Sequence, residues 1–192
     1  MPDAFDPFDI EPCDDEQERQ HLALLRAYNI EGLIVNTLGH HRDELFELRS
    51  EMPMVLVDRK VDRLDTDLVG LDNPAAVEMA LDHLDRRGYR DLLLVTEPFD
   101  GTSSRIERVD SFRTGIERRP ALAGTVLETG DQLLPRIKTF LAQPDRGPKA
   151  LFCANGIAAL AALAAGVVNA VAGGGTLITF PTLVAIGSES SA

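Results

Sequence analysis

The segment VGLDNPAAVEMALDHLDRRGYRDLLLV (69–95) decides the fold, because it reads as a strand, a helix and a second strand in succession. An apolar run over 67–72 ends at Asp72, and Asn73-Pro74 places proline at the first helical position, where its missing N–H costs nothing. Apolar side chains then recur at helical spacing, and Gly88 fits a helix C-cap before DLLLV (91–95). Two strands joined by a helix predict a parallel sheet.

The same alternation continues on both sides of this segment and predicts an α/β fold, with parallel sheets flanked by helices. The predicted strands cover 32–36, 54–58, 67–72, 91–95, 125–129 and 150–154. The predicted helices run from Asp14 or Asp15 to about Tyr28 and over 41–50, 73–87, 103–118, 131–142 and 155–165.

Charge is unevenly distributed along the 192 residues, whose formal net charge is -12. The first eighteen residues hold eight acids and no base, so the remainder carries 23 acidic and 19 basic groups. Such an acidic leader is typical of a solvated arm, and the main body has no basic surface suited to nucleic acid. Cys13 and Cys153 are expected to be reduced thiols in a cytoplasmic protein.

Polar residues follow several of the apolar runs, and their positions suggest where a ligand would bind. Asp58 ends MVLVD, Asn155 follows ALFCA, and Arg108 lies near the start of the helix after DLLLV. Parallel sheets bind ligands beyond the carboxyl ends of their strands, so these side chains are expected to share one crevice. A carboxylate, a guanidinium and an amide suit a small polyhydroxylated ligand.

Each of these residues also has a purely structural alternative. Asp58 could cap the turn after its strand, and Asn155 could cap the last helix. Arg108 could be a solvated helix residue paired with Glu107 or Asp110. Arg105, on the same helix, is expected to lie on the surface rather than on a ligand.

Motifs for catalysis, metals or cofactors are not found. His40-His41 lacks Cys or carboxylate partners at metal-ligand spacing and fits a solvated helix start. The glycines at 173–175 match neither a P-loop nor a dinucleotide fingerprint, and no G-x-S-x-G elbow occurs. The prediction is therefore a non-enzymatic protein with no catalytic residue, no bound metal and no cofactor.

Five stretches carry a family resemblance: 14–35, 52–62, 69–95, 103–116 and 141–163. In this order and spacing they resemble the effector-binding, periplasmic-binding-protein-like core of LacI/GalR transcription repressors. The resemblance implies two lobes, both incomplete here, that close on a sugar or nucleobase-like effector. It assigns effector contacts to Asp58, Arg108 and Asn155. It also implies a homodimer that contacts DNA only through a helix-turn-helix head absent from this chain.

Two departures from the family pattern stand out. Gly156 replaces the aspartate expected after Asn155, and 39 residues from Ala150 to Ser188 carry no charge. Within that run, 164–187 resembles the first helices of TauE/SafE-type membrane transporters, and membrane contact is expected only there. The alternatives to a sensing core are accordingly a transporter fragment or a non-functional truncated or fused fragment.

The expected organisation has four parts, which are a disordered leader (1–13), a partial N-terminal lobe (14–72), a partial C-terminal lobe (73–163) and a tail of different origin (164–192). If the tail belongs to the fold, its β-branched stretch 176–184 is expected to pair as a strand beside 150–154. Pro181 would place that strand at a sheet edge.

Overall fold

The computed structural model describes residues 15–28, 30–99, 101–144 and 147–163, together with the backbone of 176–179. The chain divides into an N-terminal unit, Met1–Gly70, and a C-terminal unit, Leu71–Ala192. The lobe limits expected from the sequence, 14–72 and 73–163, stay predictions. The expected leader 1–13, Cys13 and most of the tail lie outside the described residues.

The N-terminal unit is a small parallel α/β layer whose sheet has the order β1-β2-β3. Its elements are α1 (Asp15–Ala27), β1 (Leu33–Val35), α2 (Arg42–Glu51), β2 (Met54–Val57) and β3 (Asp67–Val69). Its core is one apolar cluster of helix and strand side chains, namely Leu22, Leu45, Leu48, Met54, Leu56, Val61 and Leu64.

The residues that the structure describes leave one face of this sheet largely uncovered. Ile34 pairs in register with Val55, and Val57 pairs with Val69, so these side chains project from the opposite face to buried Met54 and Leu56. Ile34 is 76% exposed and Val69 is 64% exposed. The N-terminal unit therefore buries apolar side chains mainly on one side of its strands.

The C-terminal unit has a four-stranded parallel sheet of order β5-β4-β6-β7. Its elements are α3 (Asn73–Arg86), β4 (Asp91–Thr96), α4 (Ser103–Glu117), β5 (Ala123–Glu128), α5 (Leu133–Ala142), β6 (Lys149–Cys153), α6 (Gly156–Ala162) and β7 (Thr176–Thr179). The pairing of β7 with β6 confirms the strand expected beside 150–154 over its first four residues.

Both faces of the central strands are covered in this unit. Every residue of β4 and β6 is buried, and side chains along β4 alternate between two apolar clusters. Leu92 and Leu94 join the cluster formed with α3 and α4, whereas Leu93 and Val95 join the one formed with α5 and α6. Continuous apolar strands buried on both faces are typical of parallel sheets.

The structure confirms the predicted α/β class and the helix predicted over 73–87, which is α3. The Asp72 carboxylate accepts a hydrogen bond from the Ala75 N–H at 2.9 Å, so Asp72 caps α3, and proline occupies the first turn. Gly88, which follows α3, adopts φ +84°, a conformation that glycine tolerates best. Apart from the strand expected over 176–184, predicted and observed element limits differ by at most three residues. None of the helices in the described ranges combines the length and apolar composition needed to span a bilayer.

Candidate ligand-binding site

Arg108 is held firmly at the carboxyl end of the C-terminal unit's sheet. Its Nε donates to Asn73 Oδ1 at 2.7 Å, and its Nη1 donates to the Ala154 carbonyl oxygen at 3.0 Å. Asn73 is only 1% exposed and donates through Nδ2 to Glu107 Oε2 at 2.9 Å. Arg108 is thus half-buried and fixed from two sides, so the alternative of a solvated helix residue was wrong.

Asn155 occupies the next position after Ala154 and joins a second set of bonds. Its Oδ1 accepts from the Ala158 N–H at 2.8 Å, which confirms the predicted cap of α6. Its Nδ2 donates to Glu97 Oε2 at 2.6 Å, and Arg105 Nη2 lies 2.8 Å from the same oxygen. The side chain of Arg105 is 19% exposed and thus partly buried, and its expected position away from the ligand stays a prediction.

The structure therefore brings Arg108 and Asn155 together, and their environment adds Glu97, which the sequence argument did not single out. Glu97 follows β4 directly, just as Asp58 follows β2, so its place after an apolar run was an available signal. Asn73 likewise lies just past a predicted strand, at the start of the helix that follows it. We call Asn73, Glu97, Arg105, Arg108 and Asn155 the C-terminal polar cluster.

Asp58 lies in the N-terminal unit, and its convergence with Arg108 and Asn155 on one crevice stays a prediction. The backbone of Asp58 has φ +65°, a left-handed conformation that is uncommon outside glycine, and its N–H donates to the Val69 carbonyl oxygen at 2.9 Å. Glycine at position 70 avoids crowding this turn, because a Cβ atom there would lie only 3.3 Å from Asp58 Cα. Strained backbone of this kind often occurs at ligand sites.

Arg59 lies beside Asp58 and faces the end of β1. Its Nη1 reaches the Thr37 carbonyl oxygen at 3.4 Å, and its Nε lies 4.0 Å from Asp58 Oδ2, too far for a hydrogen bond. This buried Nε has no acceptor among the residues that the structure describes. An unsatisfied buried donor at a strand end is well placed to bind an oxygen atom of a ligand or water.

One pocket of the N-terminal unit lies elsewhere. It has a volume of about 620 Å³ and is lined by residues 49–55 and 65–67, where β2 and β3 begin. Ligands of open α/β sheets bind at the opposite ends of the strands. This pocket is therefore not the predicted crevice.

Cys153 is a free, fully buried thiol whose pKa is raised by desolvation to about 12, so it stays protonated at neutral pH and is a poor nucleophile.

His41 lies close to carboxylates of Asp15 and Glu18, which the sequence argument missed because these residues come from a separate helix. That group could hold a metal ion.

Comparison with known families identifies the chain. Residues 5–182 match the model of "periplasmic binding proteins and sugar binding domain of LacI family". The chain belongs to this family, which confirms the resemblance found in the sequence. The match includes 164–182 of the tail, and the TauE/SafE resemblance of 164–187 stays a prediction.

Curated relatives are bacterial regulators. The chain is 65% identical over 149 residues to the HTH-type transcriptional regulator PtxS of Pseudomonas aeruginosa, covering 78% of this chain and 44% of the relative. It is 30% identical over 148 residues to the regulator KdgR of Bacillus subtilis, covering 74% of this chain and 44% of the relative. The chain thus spans less than half the length of these relatives.

Solved structures show the same fold. A LacI transcriptional regulator from Lactobacillus brevis superposes with a TM-score of 0.73 at 21% identity, covering 86% of this chain and 65% of that one. A periplasmic binding protein/LacI transcriptional regulator from Alkaliphilus metalliredigens, complexed with D-xylulofuranose, has a TM-score of 0.65 at 22% identity, covering 86% and 62%.

Proposed function

We propose that this chain is the effector-sensing core of a LacI/GalR-type transcription regulator and that it binds a sugar-like small molecule. The regulators PtxS and KdgR support the regulatory role, and the neighbour complexed with D-xylulofuranose supports a sugar-like ligand. Within the complete regulator, a homodimer would contact DNA through a separate reading head, in the cytoplasm. We assign the chain no catalytic residue and no cofactor.

The C-terminal polar cluster is the observation that carries this proposal. Five side chains from four segments meet at the carboxyl ends of β4 and β6, and short bonds fix their orientations. Side chains that are already fixed lose little conformational entropy when a ligand arrives, so more of the binding energy is retained. Donors and acceptors in fixed directions also discriminate between arrangements of hydroxyl groups.

Arg108 and Asn155 would act in the cluster in different ways. Arg108, oriented by Asn73 and Ala154, presents a charged planar donor, and charge-assisted hydrogen bonds are stronger than neutral ones. Asn155 caps α6 and holds the Glu97 carboxylate, so it would position an acceptor as well as contact the ligand itself. A carboxylate acceptor next to a guanidinium donor suits a ligand rich in hydroxyl groups.

Asp58 would add a second carboxylate from the N-terminal unit. Its left-handed backbone keeps the side chain at the end of β2, and a ligand oxygen could accept from the buried Nε of neighbouring Arg59. Asp58 and Arg59 together supply an acceptor and a donor. The proposed ligand contacts are therefore Asp58, Arg108 and Asn155, with Arg59 and Glu97 as supporting residues.

A thermal-shift screen of monosaccharides and nucleobases against the purified chain tests the proposal. A ligand at one hundred times its Kd should stabilise the fold by about 2.7 kcal/mol, which for a chain of this size raises Tm by roughly 5–10 °C. Arg108→Ala should abolish that shift. Arg136→Ala, which removes an exposed arginine on α5, should retain it.

Two results would count against the proposal. Stabilisation of Arg108→Ala equal to that of the parent would exclude Arg108 from the site. A complete screen without any stabilising sugar or nucleobase would argue against an effector of these classes.

A further inference from the structure

Three potential metal ligands meet in the N-terminal unit, away from the residues assigned to the effector. Asp15 and Glu18 lie one turn apart on α1, and His41 directly precedes α2. One ligand atom from each side chain lies within 4.8 Å of the other two. Donor atoms that share one zinc ion at about 2.1 Å are separated by about 3–4 Å, so small side-chain movements would suffice.

The histidine faces the carboxylates. His41 Nε2 lies 2.7 Å from the Asp15 carbonyl oxygen and 3.3 Å from Asp15 Oδ1. The side chain of His41 is 14% exposed, which limits its contact with solvent. The neighbouring His40 places Nδ1 2.7 Å from Asp15 Oδ1. Imidazoles and carboxylates thus point toward one another from two separate segments.

Glu18 gives an independent indication of a missing partner. The residue is only 6% exposed, and its Oε1 accepts from the Thr37 hydroxyl at 2.6 Å and from the Leu38 N–H at 2.7 Å. Its other oxygen, Oε2, is buried, and the described part of the chain offers it no hydrogen-bond donor. A buried carboxylate oxygen without a donor is costly unless a cation or a donor satisfies it.

We propose that Asp15, Glu18 and His41 bind a divalent transition-metal ion of the zinc type. Two carboxylates balance the charge of the ion, and the imidazole favours zinc over magnesium, which prefers oxygen ligands in octahedral geometry. Zinc binds the lone pair of His41 Nε2 in the neutral imidazole, so the proton that Nε2 shares with the Asp15 carbonyl oxygen moves to Nδ1, on the side of Glu44 Oε1 at 3.9 Å. His40 orients Asp15 from outside the site.

The bound ion connects α1 to the segment that joins β1 to α2. Glu18 already holds Thr37 and Leu38, and Gly39, with φ +83°, donates its N–H to Thr37 Oγ1 at 2.9 Å. A metal that joins this segment to Asp15 and His41 reinforces the same contact. The site is therefore structural, and it does not depend on effector binding.

Isothermal titration of the chain with ZnCl₂ tests the site, in a Cys13→Ser background that removes a thiol with its own affinity for zinc. The expected result is one ion per chain, with no comparable binding of MgCl₂. Asp15→Asn, at a side chain that is 62% exposed, removes a ligand charge with little risk to folding. His41→Ala removes the imidazole, and circular dichroism checks that both variants fold.

At least tenfold weaker zinc binding in Asp15→Asn and in folded His41→Ala supports the site. His21→Ala, which removes an exposed histidine of α1, serves as the matched control and should bind zinc as the parent does. A loss below tenfold in Asp15→Asn overturns the proposal, as does an equal loss in His21→Ala. These results are independent of the sugar screen, so failure of one proposal leaves the other standing.

Discussion

The two units use the same strand-helix alternation but bury their sheets to different extents. In the C-terminal unit, β4 and β6 are buried along their whole length, between apolar clusters on both faces. In the N-terminal unit, one cluster covers one face, and every residue of β3 is exposed. Because apolar burial provides most of the favourable free energy of folding, the C-terminal unit should be the more stable of the two.

The difference also affects the two parts of the proposed site. The C-terminal polar cluster rests on strands that packing holds on both sides, so its geometry is preorganised. Asp58 and Arg59 follow a strand of the less buried sheet, and their position should respond more readily to a ligand. Regions with little apolar burial open locally at low cost.

The largest expected effect comes from breaking the C-terminal core. Phe112 is 1% exposed, and its ring centroid lies 6.3 Å from that of Phe152. Phe112→Ala should lower the free energy of unfolding of this unit by about 3–5 kcal/mol, because it removes buried area and leaves a cavity. Urea denaturation measures the change. Phe46→Ala, at a 40% exposed ring, should cost much less, and equal losses would contradict the assigned core.

A smaller and more local effect is expected from the N-terminal core. Leu48 is 1% exposed, and Leu48→Ala should cost about 2–4 kcal/mol. Native-state hydrogen exchange should show faster exchange in β1 and β2 while β4 and β6 keep their protection. Equal loss of protection in all four strands would show that the two units unfold together.

High pH should weaken the C-terminal unit gradually, because the Cys153 thiol is buried in one of its apolar clusters. The pKa of Cys153 rises from about 9 to about 12 in the folded state, so the protonated thiol contributes stability that is present below pH 9 and is lost as pH rises toward 12. Over that window the contribution should fall by about 1.4 kcal/mol per pH unit. The difference between the pH–stability curves of the parent and Cys153→Ala isolates it, and parallel curves would contradict a buried thiol.

Much of the fold follows from local patterns in the sequence. The helix beginning at Asn73-Pro74 and the buried β4 were predictable because capping, proline placement and apolar runs act within a few residues. The strand at 176–179 was also predictable from its β-branched residues. The exposure of Ile34 on β1 and of Val69 on β3 was not predictable. An apolar residue in a strand gives no local sign of whether another element packs against it.

The site was only partly predictable, for the same physical reason. Asp58 and Asn155 could be selected because each lies at the end of an apolar run. Arg108 could be selected because it lies on the helix that comes after such a run. The bond from Arg108 to Asn73 spans 35 positions, and the one from Asn155 to Glu97 spans 58, so only the folded chain reveals them. The approach of His41 to Asp15 and Glu18 depends likewise on packing between α1 and the segment before α2.

The most direct test of the central claim is hydrogen exchange of the chain with and without a stabilising ligand from the screen. If the ligand binds beyond the carboxyl ends of the strands, peptides containing Glu97, Arg108 and Asn155 should exchange more slowly when it is bound. Slower exchange confined to 49–55 and 65–67, which line the pocket where β2 and β3 begin, would contradict the assignment.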